Sequence, residues 1–141
     1  MQEETRRLFE ELEEAALTQD VERTFALCTD DIVVEDVPLG RTLNGKEEVR
    51  TYMKEIYRAF SDVRLTRHAY LVCGNHVVVE AINTMMHSGE FLGYPATGRE
   101  VEVQACDILR FQAGKLHDVR LYYDLASILR QIGIVEESKA A

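Results

Sequence analysis

The sequence predicts an α+β fold in which N-terminal helices cover one side of a curved antiparallel sheet. Three observations carry this. The first sixty residues hold three segments with apolar side chains at helical spacing. From Ser61 onward the chain turns to long runs rich in branched residues that alternate with polar ones. Short turn signals, Gly74-Asn75 and QAGK, separate these runs closely enough for antiparallel neighbours. Helices that precede the strands, rather than alternate with them, give α+β and not a parallel α/β sheet. A chain of 141 residues with 46% hydrophobic and 29% charged side chains is expected to be one domain, spanning 1–141.

Taken in order, Leu8, Phe9, Leu12, Ala15 and Ala16 mark an amphipathic helix over 4–18. Val21, Phe25 and Cys28 in VERTFALC predict a short second helix that ends before Asp30 and Asp31, and DIVVEDV predicts a strand. Residues 38–45, PLGRTLNG, read as turn. Val49, Tyr52, Met53, Ile56 and Phe60 mark a third helix in KEEVRTYMKEIYRAF. RLTRHAYLVC, HVVVEAINTMMHSGEF, VEVQACDILRF and LHDVRLYY then predict a four-stranded meander, with LGYPATGRE as the loop before the third of these. Asp124 is placed to cap a last short helix with apolar Leu125, Ile128, Leu129 and Ile132, and Gly133 is its stop signal. Long twisted strands curl, and helices that close such a sheet imperfectly leave a cone-shaped, apolar pocket of the kind that binds small ligands.

Charge and composition narrow the function. A formal net charge of −9 with no Lys/Arg cluster disfavours nucleic acid. The acidic, amphipathic first residues do not resemble a signal peptide, and no apolar run approaches the ~20 residues needed to span a bilayer, so no membrane partner and a cytoplasmic location are expected. Cys28, Cys73 and Cys106 lack CxxC spacing, and His68, His76, His87 and His117 form no HxH or HxxxH pair. No disulfide framework, metal site or cofactor is indicated.

Strand parity then selects polar residues on dry faces. In VEVQACDILRF, Asp107 shares its face with Val101, Val103, Ala105, Leu109 and Phe111. Asp36 falls with Ile32 and Val34. On 77–91 the odd face is Val77, Val79, Ala81, Asn83, Met85 and His87; on the last strand it is His117, Val119, Leu121 and Tyr123. A one-residue register error would reverse these assignments. A carboxylate among apolar groups must raise its pKa, find donors or hold a cation, and proton-transfer chemistry uses the first outcome. Bland readings stand beside these. Asp107 could accept hydrogen bonds that tie sheet to helices, Asp36 could cap the turn at Pro38, His87 could be half-solvated at a strand end, and Asn83 and Tyr123 could satisfy each other. Pocket volume depends on how Tyr52, Tyr57, Phe60, Met85 and Phe91 pack.

The order helix, helix, DDIVVED strand, NGKEEVRTYM helix, then strands carrying GEFLGYPATGR at 89–99, DILRF at 107–111 and AGKL at 113–116, resembles the nuclear transport factor 2-like superfamily, in particular its SnoaL-like polyketide cyclase branch. The resemblance covers essentially the whole chain. It implies a cone-shaped fold with a deep pocket, a homodimer and, in the enzymatic members, cofactor-free acid/base chemistry. It places Asp107 where the cyclases have their acid/base aspartate, and it makes Asp36, by the shorter match to ketosteroid isomerases, a candidate base. The oxyanion-hole tyrosine of those isomerases would fall on Leu12, so steroid isomerisation is disfavoured. The Arg and two Asp of limonene epoxide hydrolases would fall on Ala81, Asn83 and Leu121, which disfavours epoxide hydrolysis.

The function expected is a cofactor-independent cyclase, isomerase or dehydratase acting on a small, largely apolar carbonyl compound. Asp107, Asp36 and His87 are the catalytic candidates, with His87 or Asn83 polarising the carbonyl and Tyr123 orienting Asp107 or the substrate. Tyr52, Tyr57, Phe60, Met85, Val119 and Leu121 are the substrate-contact candidates. The alternative is a non-catalytic ligand-binding or dimeric scaffold protein with the same pocket.

Overall fold

The structure, a computed structural model, describes residues 2–134. Met1 and residues 135–141, which the one-domain expectation includes, lie outside the described residues. Helix α1 (Gln2–Leu17) buries Phe9, Leu12 and Ala15 along one stripe. Helix α2 (Val21–Ala26) is capped by Asp20, whose side chain accepts from the Arg23 N–H at 3.1 Å. Strand β1 (Cys28–Asp36) and the short β2 (Arg41–Asn44) form a hairpin, and α3 (Gly45–Ala59) follows. The Glu48 carboxylate accepts the Asn44 N–H at 2.7 Å at the start of α3, which satisfies one donor there. Four long strands come next: β3 (Phe60–Cys73), β4 (His76–His87), β5 (Glu100–Gln112) and β6 (Lys115–Tyr123). Helix α4 (Leu125–Gln131) closes the described chain, with Asp124 accepting from the Ser127 N–H at 3.0 Å as its sequence position predicts.

The meander β3–β4–β5–β6 is present as expected, but the sheet is larger and not wholly antiparallel. Its order is β2-β1-β6-β5-β4-β3, and β1 lies parallel to β6. The expectation of an all-antiparallel sheet is corrected at that one pairing. Residues 38–45 are corrected too: Arg41–Asn44 form a strand because buried Leu43 pairs with Val34 once the chain has turned at Val37–Gly40. Three boundaries also shift. Cys28 begins β1 instead of ending a helix, since the Leu27 N–H already closes α2 onto the Phe25 and Thr24 carbonyls. Phe60 takes an extended conformation and opens β3. β4 stops at His87 and does not run to Phe91.

Two buried clusters hold the fold. The larger joins Phe9 and Leu12 of α1, Phe25 of α2, Val49 and Tyr52 of α3 and the inner faces of β1, β4, β5 and β6. The smaller gathers Phe60, Phe91, Val101, Val103, Ile128 and Ile132 where α4 folds against β5. Because the helices cover the curled sheet incompletely, a cavity of about 410 Å³ is left between α1, α3 and the inner sheet face.

Candidate active site

The inner face is set by alternation, and the register lines up its key residues. Asp36 on β1 pairs with Leu121 on β6, Leu121 with Asp107 on β5, and Asp107 with Val79 on β4. The two aspartates thus lie in one row, two strand spacings apart, or roughly 10 Å. Their surroundings differ sharply.

Asp36 is fully buried and well supplied with donors. The Tyr52 hydroxyl donates to its Oδ2 at 2.6 Å, the Tyr123 hydroxyl approaches both carboxylate oxygens at 2.9 Å, and the Leu39 N–H donates to Oδ1 at 3.1 Å. The last contact is the turn cap considered for this residue. Burial first, then the neighbouring Asp36, push the phenols of Tyr52 and Tyr123 far above their ordinary range. Neither tyrosine orients Asp107 by a hydrogen bond; both serve Asp36.

Asp107 faces the cavity with, among the described residues, a single long contact, the Tyr122 N–H at 3.3 Å. Burial pushes its pKa up to about 7; the Tyr122 N–H opposes the shift and the charge of Asp36 adds to it. Val79, Leu109, Val119 and Leu121 surround it on the same wall.

The cavity gathers most of the residues selected from the sequence. Asp107, Asn83, Met85, Tyr52, Tyr57, Phe60, Val119 and Leu121 all line it. Asp36, Tyr123 and His87 are not among its lining residues. His87 is fully buried beyond the cavity, where its Nδ1 accepts from the Thr97 N–H at 3.2 Å and lies 2.8 Å from the Thr97 hydroxyl. Burial pushes its pKa down, with the Gly89 backbone acting in the opposite direction. Those contacts join β4 to the loop before β5, and His87 is not among the residues that line the cavity. Asn83 lies four residues along β4 from the Asp107 row, about 13 Å at strand rise, and is too far to act on the same carbonyl as Asp107.

His117, selected by parity, is excluded by a bulge. The β5–β6 register shifts at Arg110/Phe111, so buried Leu116 takes the inner position and His117 contacts Thr29 at 3.1 Å and Asp31 at 3.4 Å. Residues that parity missed come from α1 and the turn after it: Glu13 and Gln19 line the cavity, Glu13 with its carboxylate 2.7 Å from His68 Nε2. Glu13 sits at position +4 from Phe9 and +1 from Leu12, at the border of the apolar stripe, which is the available signal. Ala81, Asn83 and Leu121 all face the cavity and supply neither the arginine nor the aspartates of an epoxide hydrolase triad. Among the described residues no group of three or more His, Cys, Asp or Glu side chains could hold a metal ion, and no helix is long and apolar enough to cross a membrane.

The fold has close parallels among solved structures. AclR, a proposed hydroxylase from Streptomyces galilaeus, superposes with a TM-score of 0.85 at 22% identity, covering 99% of this chain and 87% of its own. A proposed SnoaL-like polyketide cyclase from Jannaschia sp. CCS1 gives 0.85 at 20% identity, with 94% and 93% coverage. IdmH, a proposed polyketide cyclase from Streptomyces antibioticus, gives 0.77 at 23% identity, with 92% and 98% coverage. At these identities the likeness is one of fold. No curated protein matches the sequence. The SnoaL-like polyketide cyclase family model matches residues 6–132, nearly the whole chain, and the protein belongs to that family.

Proposed function

We propose that the protein is a cofactor-independent acid/base enzyme of the polyketide cyclase type, acting as a single domain on a small, largely apolar carbonyl compound enclosed in the cavity. The observation that carries this is the half-buried Asp107 carboxyl, directed into an apolar cavity and held by only one weak donor. A carboxyl with a pKa of about 7 is populated in both forms near neutral pH, the condition under which one group can take a proton from carbon and return it to oxygen. In the aldol-type closure that the family name suggests, ionised Asp107 would remove the proton α to a carbonyl. The enolate carbon would attack a second carbonyl, and the acid form of Asp107 would deliver the proton to the new alkoxide. Asp36 is assigned here to a supporting role: its charge, fixed by Tyr52 and Tyr123, favours the protonated form of Asp107. His87 supports the loop and not the chemistry. A homodimer, as the family resemblance implies, belongs to the same reading, and sedimentation velocity is its check.

The test is a carboxyl NMR titration with Asp107→Asn used to assign the signal. A value well above the ~3.9 of an exposed aspartate is expected. Turnover of a carbonyl substrate should disappear in Asp107→Asn while the fold and ligand affinity persist. An ordinary or depressed value would instead identify a paired structural carboxylate and favour a non-catalytic binding protein.

A further inference from the structure

The turn that ends α1 carries an unusual residue. There the Asp20 N–H donates to the Ala15 carbonyl and the Gln19 N–H to the Ala16 carbonyl, both at 3.0 Å, the double closure that follows many helices. This closure puts Gln19 in the left-handed region, at φ +56°. Glycine takes such a position at no steric cost and asparagine at little, whereas a longer side chain strains the backbone. Strain of this kind persists where the surroundings hold the residue in place, and it gathers at clamps and switches.

The Gln19 side chain is held across a gap. Its Nε2 donates to the Phe60 carbonyl at 3.0 Å, 41 residues away, where α3 gives way to β3. Among the described residues this is the one side-chain hydrogen bond between the α1–α2 turn and that junction. The gap lies at an edge of the cavity. β3 is the outermost strand, and its Val63 and Leu65 line the cavity together with Leu17 and Gln19 on one side and Met53 and Tyr57 on the other. All six are half-buried, whereas Val79, Ala81 and Leu109 on the sheet wall are buried. Farther toward the start of α1 the same edge is shut: Glu13 meets His68 at 2.7 Å, and Phe9 packs on the His68 and Tyr70 rings. The passage from solvent to the cavity is thereby narrowed to the stretch that Gln19 crosses.

We propose that the Gln19 side chain is a strap across the mouth of the cavity. Bonded to the Phe60 carbonyl it narrows the entrance between α1, α3 and β3; swung free it opens the way in. One neutral hydrogen bond holds it, so the strap is closed about ten times as often as it is open. The turn fixes the root of the side chain beside the gap, so release and return need only the torsions of one residue and no movement of α1. This assignment rests on reading the cavity as the place where substrate is enclosed, and it is independent of which residue carries the chemistry.

The test is the rate at which a thiol inside the cavity meets reagents of two widths. Ala81→Cys, made together with Cys73→Ser and Cys106→Ser to remove the exposed thiols, is labelled with methyl methanethiosulfonate and with the wider benzyl methanethiosulfonate, each scaled to its rate with a free thiol. Cys28, buried and outside the cavity lining, reports opening of the whole fold in the same sample. Asn83→Cys, also in the cavity wall, takes the place of Ala81→Cys if that variant does not fold. Two substitutions remove the bond. Gln19→Asn suits the left-handed turn but is too short to reach Phe60, and Gln19→Glu is as long as the parent but, when ionised, has no proton to donate. In both, benzyl labelling should quicken about tenfold, the worth of one hydrogen bond, with a smaller gain for the methyl reagent and none at Cys28. An unchanged benzyl rate in either variant would overturn the strap. So would an equal gain at Cys28, which means a loosened fold, or a parent cavity thiol that meets both reagents as readily as a free one, which means a mouth that stands open. The Asp107 titration is read separately: an ordinary Asp107 pKa with the expected labelling removes the acid/base reading and keeps the strap, and the converse removes only the strap.

Discussion

Two carboxyl groups in one cross-strand row illustrate how donors, and not burial alone, decide what an aspartate does. Asp36 is the more buried, yet it has two phenols and a backbone N–H as partners; Asp107 keeps partial access to the cavity and has one N–H at 3.3 Å. The Asp107 pKa is raised from its unfolded value, so the protonated group favours the folded state. That contribution is complete below about pH 4 and is lost as pH rises through about 7. Asp107→Asn, which cannot ionise, should therefore melt like the parent at pH 4 and be more stable at pH 8. The gain should be at most about 4 kcal/mol, reduced by the solvent that reaches the carboxyl. Urea denaturation of both proteins at the two pH values measures it, and a constant difference across pH would contradict the titration assigned to Asp107. Alternation along the chain sufficed to place both aspartates inward. It could not reveal which would be satisfied, because the two phenols that serve Asp36 are 16 and 87 residues away and only the Leu39 N–H is local.

Elements legible in the sequence were those whose own pattern suffices: α1, α2 and α3 by their apolar spacing, α4 by its aspartate cap and apolar spacing, and the meander by its turns. What escaped depends on neighbours. β2 carries a single buried residue, Leu43, and is a strand only because β1 lies beside it. The bulge at Arg110/Phe111 has no local signature, and it alone exchanges Leu116 for His117 on the inner face. The segment after β4 shows a related dependence. There the Ser88 and Gly89 N–H groups donate to the Ala59 carbonyl at 2.9 and 3.1 Å, and a Cβ on Gly89 would sit 2.1 Å from the Arg58 carbonyl oxygen. No side chain can be accommodated without moving backbone. Gly89→Ala should destabilise the protein by about 3 kcal/mol, at the upper end of the cost of overpacking, and guanidinium midpoints are the measure. A loss below about 0.5 kcal/mol would show that the crossing of this segment over the end of α3 is loose.

At the scale of the molecule, the class, the helical cover and the cavity were expected from element order, whereas the parallel pairing of β1 with β6 was not. No turn or repeat announces a contact between segments so far apart in the chain. The four-strand meander needs only hairpin closures; β1 must wait for β6, and the Tyr123–Asp36 hydrogen bond spans that junction. Contacts of such long sequence separation carry a loop-closure cost, and this junction is expected to form after the meander, late in folding. Tyr123→Phe should accordingly raise the unfolding rate roughly tenfold, for a bond to a charged group of ~1.5 kcal/mol, and leave the refolding rate nearly unchanged in stopped-flow chevrons. Slower refolding instead would place the junction in the nucleus. Late docking of β1 also means that, for a time, β6 presents a bare edge of unpaired N–H and C=O groups beside an open apolar trough. Such an edge invites a strand from another chain. The tyrosine–aspartate clasp that supports the acid cavity in the finished protein is therefore also a guard against aggregation, since it holds in place the strand that covers that edge.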